Sequence, residues 1–231
     1  MNSLYIAALT MLIGKSLAWD NSPPIPPYQP MTWQQGKGNL MIEFELFTDL
    51  LCDGCAVLHE EFNKFFTNMT YLGRPVSDQI TVSYGFLALP YHHGSWIPHR
   101  LLPYITNECR TTSTCKFEAY TSYTYKNRYS FLDATDTNYD DLVTRWISTC
   151  RSKFGWPLGD LQAVYNRTSV DKWNSEHNSR LIWGLAASRG VFGTPTIFVN
   201  GISLQNNPQS AEDWLKLLDD VYKSQAIKFN L

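Results

Sequence analysis

From Leu40 to Phe47 apolar residues run with few breaks, interrupted by Glu43 and Glu45, which is the pattern of a strand covered on both faces. A short turn follows, carrying Cys52 and Cys55, and the period then lengthens. From Ala56 to Phe66 a helix is predicted, with Cys55, Leu58, Phe62, Phe65 and Phe66 on one apolar face. Gly73-Arg74-Pro75 ends that section. Ile80 to Leu89 predicts a second strand, followed by the loop Pro90 to Trp96. From Pro98 to about Gly190 the periodicity is helical almost throughout. Its apolar stripes are Leu101, Leu102, Ile105 and Cys109, then Val143, Trp146, Ile147, Cys150 and Phe154, then Leu181, Ile182, Leu185 and Ala186. Thr196 to Val199 reads as a β-branched strand, Asn200-Gly201 is a two-residue hairpin signal, and Ile202 to Leu204 runs back. Ser210-Ala211-Glu212-Asp213 has capping-box form and opens a last helix with Trp214, Leu217, Leu218 and Val221 inward. The helical block lies between strands. It therefore predicts an insertion at about 98–190 into one α/β domain spanning 40–231.

The N-terminal part reads differently. Leu4 to Ile13 is apolar but shorter than the ~20 residues that span a bilayer. Ser16-Leu17-Ala18 places small residues where a signal peptidase reads, so 1–18 is expected to be a signal peptide, with a buried N-terminal helix as the alternative. Residues 19–39 hold Pro23, Pro24, Pro26, Pro27 and Pro30, and predict an extended lead-in packed across the domain surface. No other stretch is long enough to be a membrane span. A formal net charge of −2 indicates no basic surface for nucleic acid. Asn68-Met69-Thr70 and Asn166-Arg167-Thr168 have the form of glycosylation acceptors. The ending Ile227 to Leu231 is not an ER-retention signal, so the secretory pathway, with secretion or a lysosome-like lumen as destination, is expected.

The candidate chemistry is sulfur chemistry. Cys52 stands where a helix should begin, facing unpaired N–H groups and the positive end of the helix dipole, which favour the thiolate that attacks disulfides. Cys55, one turn further in, is placed to resolve the mixed disulfide. Zinc is the competing reading. It fits poorly, since the next pair, Cys109 and Cys115, lacks finger spacing and no histidine completes a four-ligand set. A purely structural bridge between Cys52 and Cys55 would close too short a loop to restrain the unfolded chain much. No metal or other cofactor is expected beyond the Cys52–Cys55 redox disulfide.

Two motifs, in this order, resemble the DsbA-like branch of the thioredoxin superfamily. Phe47-x-Asp49-x-x-Cys52-x-x-Cys55 resembles its active-site strand and helix start, and Gly190 to Gly201, containing Gly193-Thr194-Pro195, resembles its cis-proline loop and following hairpin. The likeness in element order spans roughly Leu40 to Lys223. It implies a thioredoxin-like fold with a large helical insertion between the second strand and the cis-proline strand. It also implies that Thr194–Pro195 is cis, lies against the cysteines and holds an extended substrate peptide. The dipeptide Asp53-Gly54 departs from the family's usual proline- or histidine-containing forms. A carboxylate beside Cys52 is expected to disfavour its thiolate; ~1–2 pKa units would correspond to ~30–60 mV, toward a milder oxidant, an isomerase or a reductase.

Further modulators are Glu45, read either as a buried carboxylate accepting or relaying the proton of Cys55 or as a carboxylate at the sheet edge, paired or wet, and His92 and His93, which follow the second strand at its ligand-binding end. Asp49 reads as a turn or capping group. Cys109–Cys115 is the structural disulfide candidate, Cys115–Cys150 its rival, and Cys150 otherwise a buried thiol. The chain is thus expected to be a secreted thiol–disulfide oxidoreductase acting on cysteines of protein or peptide substrates with some redox partner. The alternatives are a redox-inert thioredoxin-like binding module and a lysosomal thiol reductase.

Overall fold

The computed structural model describes residues 33–229; the expected signal peptide and most of the proline-rich lead-in lie outside the described residues. In chain order the first half forms β1 (Trp33–Gln35), β2 (Ile42–Thr48), α1 (Asp53–Asn63), a π-helical turn (Lys64–Asn68), β3 (Thr70–Tyr71), β4 (Arg74–Pro75), α2 (Val76–Gln79) and β5 (Ile80–Phe86). The helical block follows as α3 (Trp96–Arg100), α4 (Leu102–Thr111), α5 (Phe117–Lys126), α6 (Tyr129–Leu132), α7 (Tyr139–Phe154), α8 (Leu158–Tyr165) and α9 (Ser175–Ser188). The chain then returns to the sheet as β6 (Thr196–Val199) and β7 (Ile202–Ser203) and ends on α10 (Ala211–Phe229).

Among the described residues one five-stranded sheet has the order β1-β5-β2-β6-β7. The central strand β2 runs parallel to β5 and antiparallel to β6. Side chains alternate across it. Phe44 faces the layer of α1, the π-helical turn and α10, where its ring meets those of Phe62, Phe65 and Trp214 at centroid distances of 6.5, 6.3 and 5.7 Å. Core rings of this kind resist truncation to alanine by about 3–5 kcal/mol each. Phe47 faces the other way, edge-on to Phe198 at 5.5 Å, in a second cluster with Leu87, Leu89, Ala186 and Val191. Both faces are covered, as the near-continuous apolar run of β2 requires. The insertion has a core of its own rings, with Tyr120 near Trp146, Phe154 and Trp156.

Local differences from the sequence reading have identifiable causes. The lead-in does not merely lie on the surface: its first described residues form β1, antiparallel to β5. Gly36 makes that approach feasible, because a Cβ there would stand 2.1 Å from the Ile80 carbonyl oxygen and the backbone has φ +88°. The strand expected to reach Leu89 stops at Phe86, since β2 ends at Thr48 and the Leu89 N–H turns to the Asp49 carboxylate. The first helix starts at Asp53 rather than Ala56, and its end widens into the π-helical turn that keeps Phe65 and Phe66 buried. Asn200 and Gly201 both take positive φ, 49° and 80°, as a tight hairpin demands. Ser210 and Asp213 cap each other's N–H groups at 3.2 Å, opening α10 as the capping-box pattern predicts.

Candidate active site

Cys52 is the residue that caps α1. Its backbone is extended (φ −79°, ψ 129°), its carbonyl accepts the Ala56 N–H at 3.0 Å, and its side chain makes no capping bond. Sγ is therefore left free at the positive end of the helix. The cis peptide Thr194–Pro195 lies against it: the thiol donates to the Thr194 carbonyl at 3.4 Å. Gly54 allows the closeness, since a Cβ there would meet Pro195 Cδ at 3.3 Å and Cys52 Sγ at 3.9 Å. Cys55, one turn further in, is fully buried and accepts the Asp49 N–H at 3.4 Å. Both cysteines are free thiols.

Their electrostatics differ in sign. The Cys52 thiol is lowered to about 6, chiefly by a hydrogen bond from the Cys55 thiol, helped by the Thr194 side-chain hydroxyl (not its carbonyl) and the Cys55 N–H, against burial and the charge of Asp49. Cys55 is pushed well above its ordinary value, first by burial and then by the neighbouring Cys52 sulfur. One sulfur is prepared as a thiolate and the other as its hydrogen-bond donor.

The sequence-derived modulators fare unevenly. The sequence reading has Asp53 oppose the thiolate; in the structure its carboxylate has partners of its own. Its carboxylate accepts from Arg128 Nε and, at 2.8 Å, from the Tyr129 hydroxyl, so its charge is matched by a guanidinium. The Arg128 bond above all holds the Asp53 carboxyl below its usual range. Glu45 is not a proton relay for Cys55. It shares the face of β2 that carries Phe47, opposite to Phe44 and the α1 layer, and takes both Arg189 amino groups at 2.7 and 2.9 Å. Of the alternative reading, a sheet-edge carboxylate that is paired or wet, the pairing holds but the edge does not, because β2 is hydrogen-bonded on both sides. His92 Nδ1 lies 2.8 Å from Asp49 Oδ2 and donates to it, whereas His93 stands on the loop beyond.

Asp49 does form a turn, accepting the Leu51 N–H at 2.9 Å, and it does more. Fully buried, it also accepts from Leu89 N–H and Ser95 Oγ, joining the cysteine turn to the loop after β5. His99, which the sequence pattern does not single out, lies beside it. Its Nδ1 donates to the Ser95 carbonyl at 2.7 Å while Nε2 accepts the Leu50 N–H at 3.5 Å, an arrangement that requires the neutral ring. Burial accordingly lowers its pKa. Arg128 and Tyr129 escape sequence reasoning too, because no local signal marks residues more than seventy positions from the carboxylate they bond.

Elsewhere, Cys109 and Cys115 are joined by a disulfide, and Cys150 is a buried free thiol. Asn68 and Asn166 are both exposed; the side-chain oxygen of Asn166 accepts the Thr168 N–H at 2.7 Å.

A strand, a helix capped by the first of two cysteines and a cis-proline loop folded against them define the thioredoxin fold. The seven helices described between β5 and β6 make it the DsbA-like variant. Solved structures agree. BdbD from Bacillus subtilis, in its oxidised form, superposes with a TM-score of 0.60 at 13% identity, covering 85% of this chain and 96% of that one. A thioredoxin-like oxidoreductase from Silicibacter pomeroyi DSS-3 gives 0.55 at 15% identity, covering 84% and 94%. The oxidoreductase NmDsbA1 from N. meningitidis gives 0.53 at 14% identity, covering 88% and 90%. No protein-family model and no curated protein matches the sequence. At such identities the likeness is one of fold.

Proposed function

We propose that the chain is a thiol–disulfide oxidoreductase of the secretory route that acts on cysteines of protein or peptide substrates. The observation that carries this is the split between the two sulfurs: Cys52, at the helix start, lowered to about 6, and Cys55 buried and raised. A redox-inert module has no use for that split. In the reducing direction the Cys52 thiolate attacks a substrate disulfide, forming a mixed disulfide and releasing one substrate sulfur as thiolate. Cys55 then loses its proton and attacks Cys52 Sγ, expelling the second substrate thiolate. The substrate gains two electrons and the protein is left with a Cys52–Cys55 disulfide. Run in reverse, the same steps oxidise a dithiol substrate, and the potential of the couple against its partner decides the direction. Thr194 and Pro195 hold the extended substrate beside Cys52, the Thr194 backbone offering strand-like pairing. The reaction needs no cofactor beyond the sulfur pair.

The secretory assignment rests on the leader and is supported by the exposure of Asn68 and Asn166, which leaves both open to glycan attachment. Insulin reduction tests the activity. Cys52→Ser is expected to lose at least about 10³-fold in turnover, ~4 kcal/mol in barrier; a variant as active as the wild type ends the proposal.

A further inference from the structure

The nucleophile's neighbour in sequence is an acid, and its counter-charge comes from a different part of the molecule. Asp53 projects from the first turn of α1. Arg128, the capping residue of α6 in the helical insertion, reaches across to it and donates through Nε, and Tyr129 donates its hydroxyl to the same oxygen. Arg128 is itself held in place: Nη1 donates to the Tyr125 carbonyl at 2.7 Å, and the guanidinium carbon lies 4.5 Å from the Tyr129 ring centroid. The Arg128 side chain is 19% exposed while that of Asp53 is 63% exposed. A pair this open to water adds little to stability, so its position matters more than its strength. It sits one residue from the attacking sulfur.

We infer that Arg128, with Tyr129, is a positioning group of the insertion that cancels the Asp53 carboxylate and so keeps Cys52 available as a thiolate despite its acidic dipeptide. The inference rests on the reading of Cys52 as the nucleophile. It gives the insertion a chemical role, because the guanidinium supplies from outside the cysteine turn what a positively chargeable dipeptide would supply from within. The groups facing Asp53 are Arg128 and Tyr129 from the insertion and His92 from the loop after β5. Those facing Cys52 are Cys55, Thr194 and Asp49. Asp49 has its own donors in Leu51, Leu89, Ser95 and His92 and does not depend on Arg128.

A titration of the Cys52 thiolate by its ultraviolet absorbance in the reduced protein, repeated in variants, tests this. Arg128→Met is expected to raise the Cys52 pKa by about half a unit to one unit at low salt, the size of one uncancelled charge near the surface. In ~0.5 M salt most of that shift should vanish. Arg128→Lys should stay near the wild-type value. The double variant Asp53→Asn/Arg128→Met should return to it, because the charge needing cancellation has gone. That return also separates loss of charge from loss of fold, since a misfolded Arg128→Met protein would not be repaired by a second surface change. An unshifted Arg128→Met midpoint, or a double variant no better than the single, overturns the inference. The titration reads Cys52 whether or not insulin is turned over, so the assignment of function and the role of Arg128 fail independently.

Discussion

Cys52 in the turn before α1 and Cys150 in the core of the insertion are the same side chain in two buried places. Cys52 keeps 8% of its surface exposed and Cys150 none. Burial pushes both thiols toward the neutral form. For Cys150 nothing among the described residues opposes it, and the thiol is raised far out of the physiological range. For Cys52 a helix start, the Cys55 thiol and Thr194 supply donors that outweigh the same penalty, and it falls to about 6. Depth therefore does not make a cysteine inert. The balance between burial and the donors aimed at the sulfur decides whether it ionises.

The largest effect by which to break this comparison is in reactivity. With its pKa at about 6, Cys52 is about nine-tenths thiolate at neutral pH, whereas a thiol at or above 9 is about 1% ionised or less. Alkylation of the reduced protein at pH 7 should label Cys52 at least about 10²-fold faster than Cys55 or Cys150, with a rate midpoint about pH 6. A midpoint above 8 would mean that the donors do not outweigh burial. Stability follows with a definite sign. The folded pKa lies below the unfolded value of 9.0, so the thiolate's contribution to the reduced state is full above about pH 9 and is lost as pH falls through about 6. Denaturant titrations of reduced wild type and Cys52→Ser should therefore converge on acidification; a gap that widens toward pH 5 would reverse the assignment.

The parts of this picture that sequence carries are those fixed by local pattern. The period of β2, the cysteine pair at the mouth of α1, the hairpin at Asn200-Gly201 and the capping box before α10 are each written within a dozen residues. The cis-proline loop is legible only through family likeness, because a single proline does not announce its isomer. What pattern cannot carry is pairing across the fold. Glu45 reads as a buried acid on the active strand, and only the sheet shows that it faces Arg189, 144 residues away, on the side opposite the sulfurs. Asp53 reads as an unshielded charge because nothing near it in sequence foretells Arg128, 75 residues on. His99 is hidden for another reason: within α3 it looks like any helical histidine, and its role depends on meeting Leu50 and Asp49.

A smaller effect sharpens the comparison from the side of the third and fourth cysteines. Cys109 and Cys115, six residues apart, close a short loop between α4 and α5. Chain entropy for a loop of that size gives about 2 kcal/mol. Cys109→Ser/Cys115→Ser should lower the unfolding free energy by about that amount in denaturant while leaving the Cys52 thiolate midpoint in place. A displaced midpoint would mean that the insertion transmits strain to the active turn, and the two regions could not be treated as separate environments.

The smallest effect concerns Cys150 itself. It lies on the buried face of α7 with Val143, Trp146 and Phe154, and Tyr104, Tyr120 and Tyr165 are close enough to feel its charge were it ionised. Among the described residues nothing donates to its sulfur, so it behaves as a small apolar group among rings. Cys150→Ala removes one sulfur atom and leaves a void smaller than a methylene pair. The expected cost is about 1 kcal/mol, visible as a modest drop in melting temperature, with insulin turnover and the alkylation rate of Cys52 unchanged. Cys150→Ser occupies nearly the same volume but buries a hydroxyl among rings, where its donor can turn to the Trp146 carbonyl one turn back while its oxygen gains no donor, so it should cost more than alanine despite being closer in shape. If serine proves the milder change, a donor or acceptor reaches that sulfur after all, and the contrast between an attended cysteine and an unattended one no longer accounts for why only Cys52 ionises.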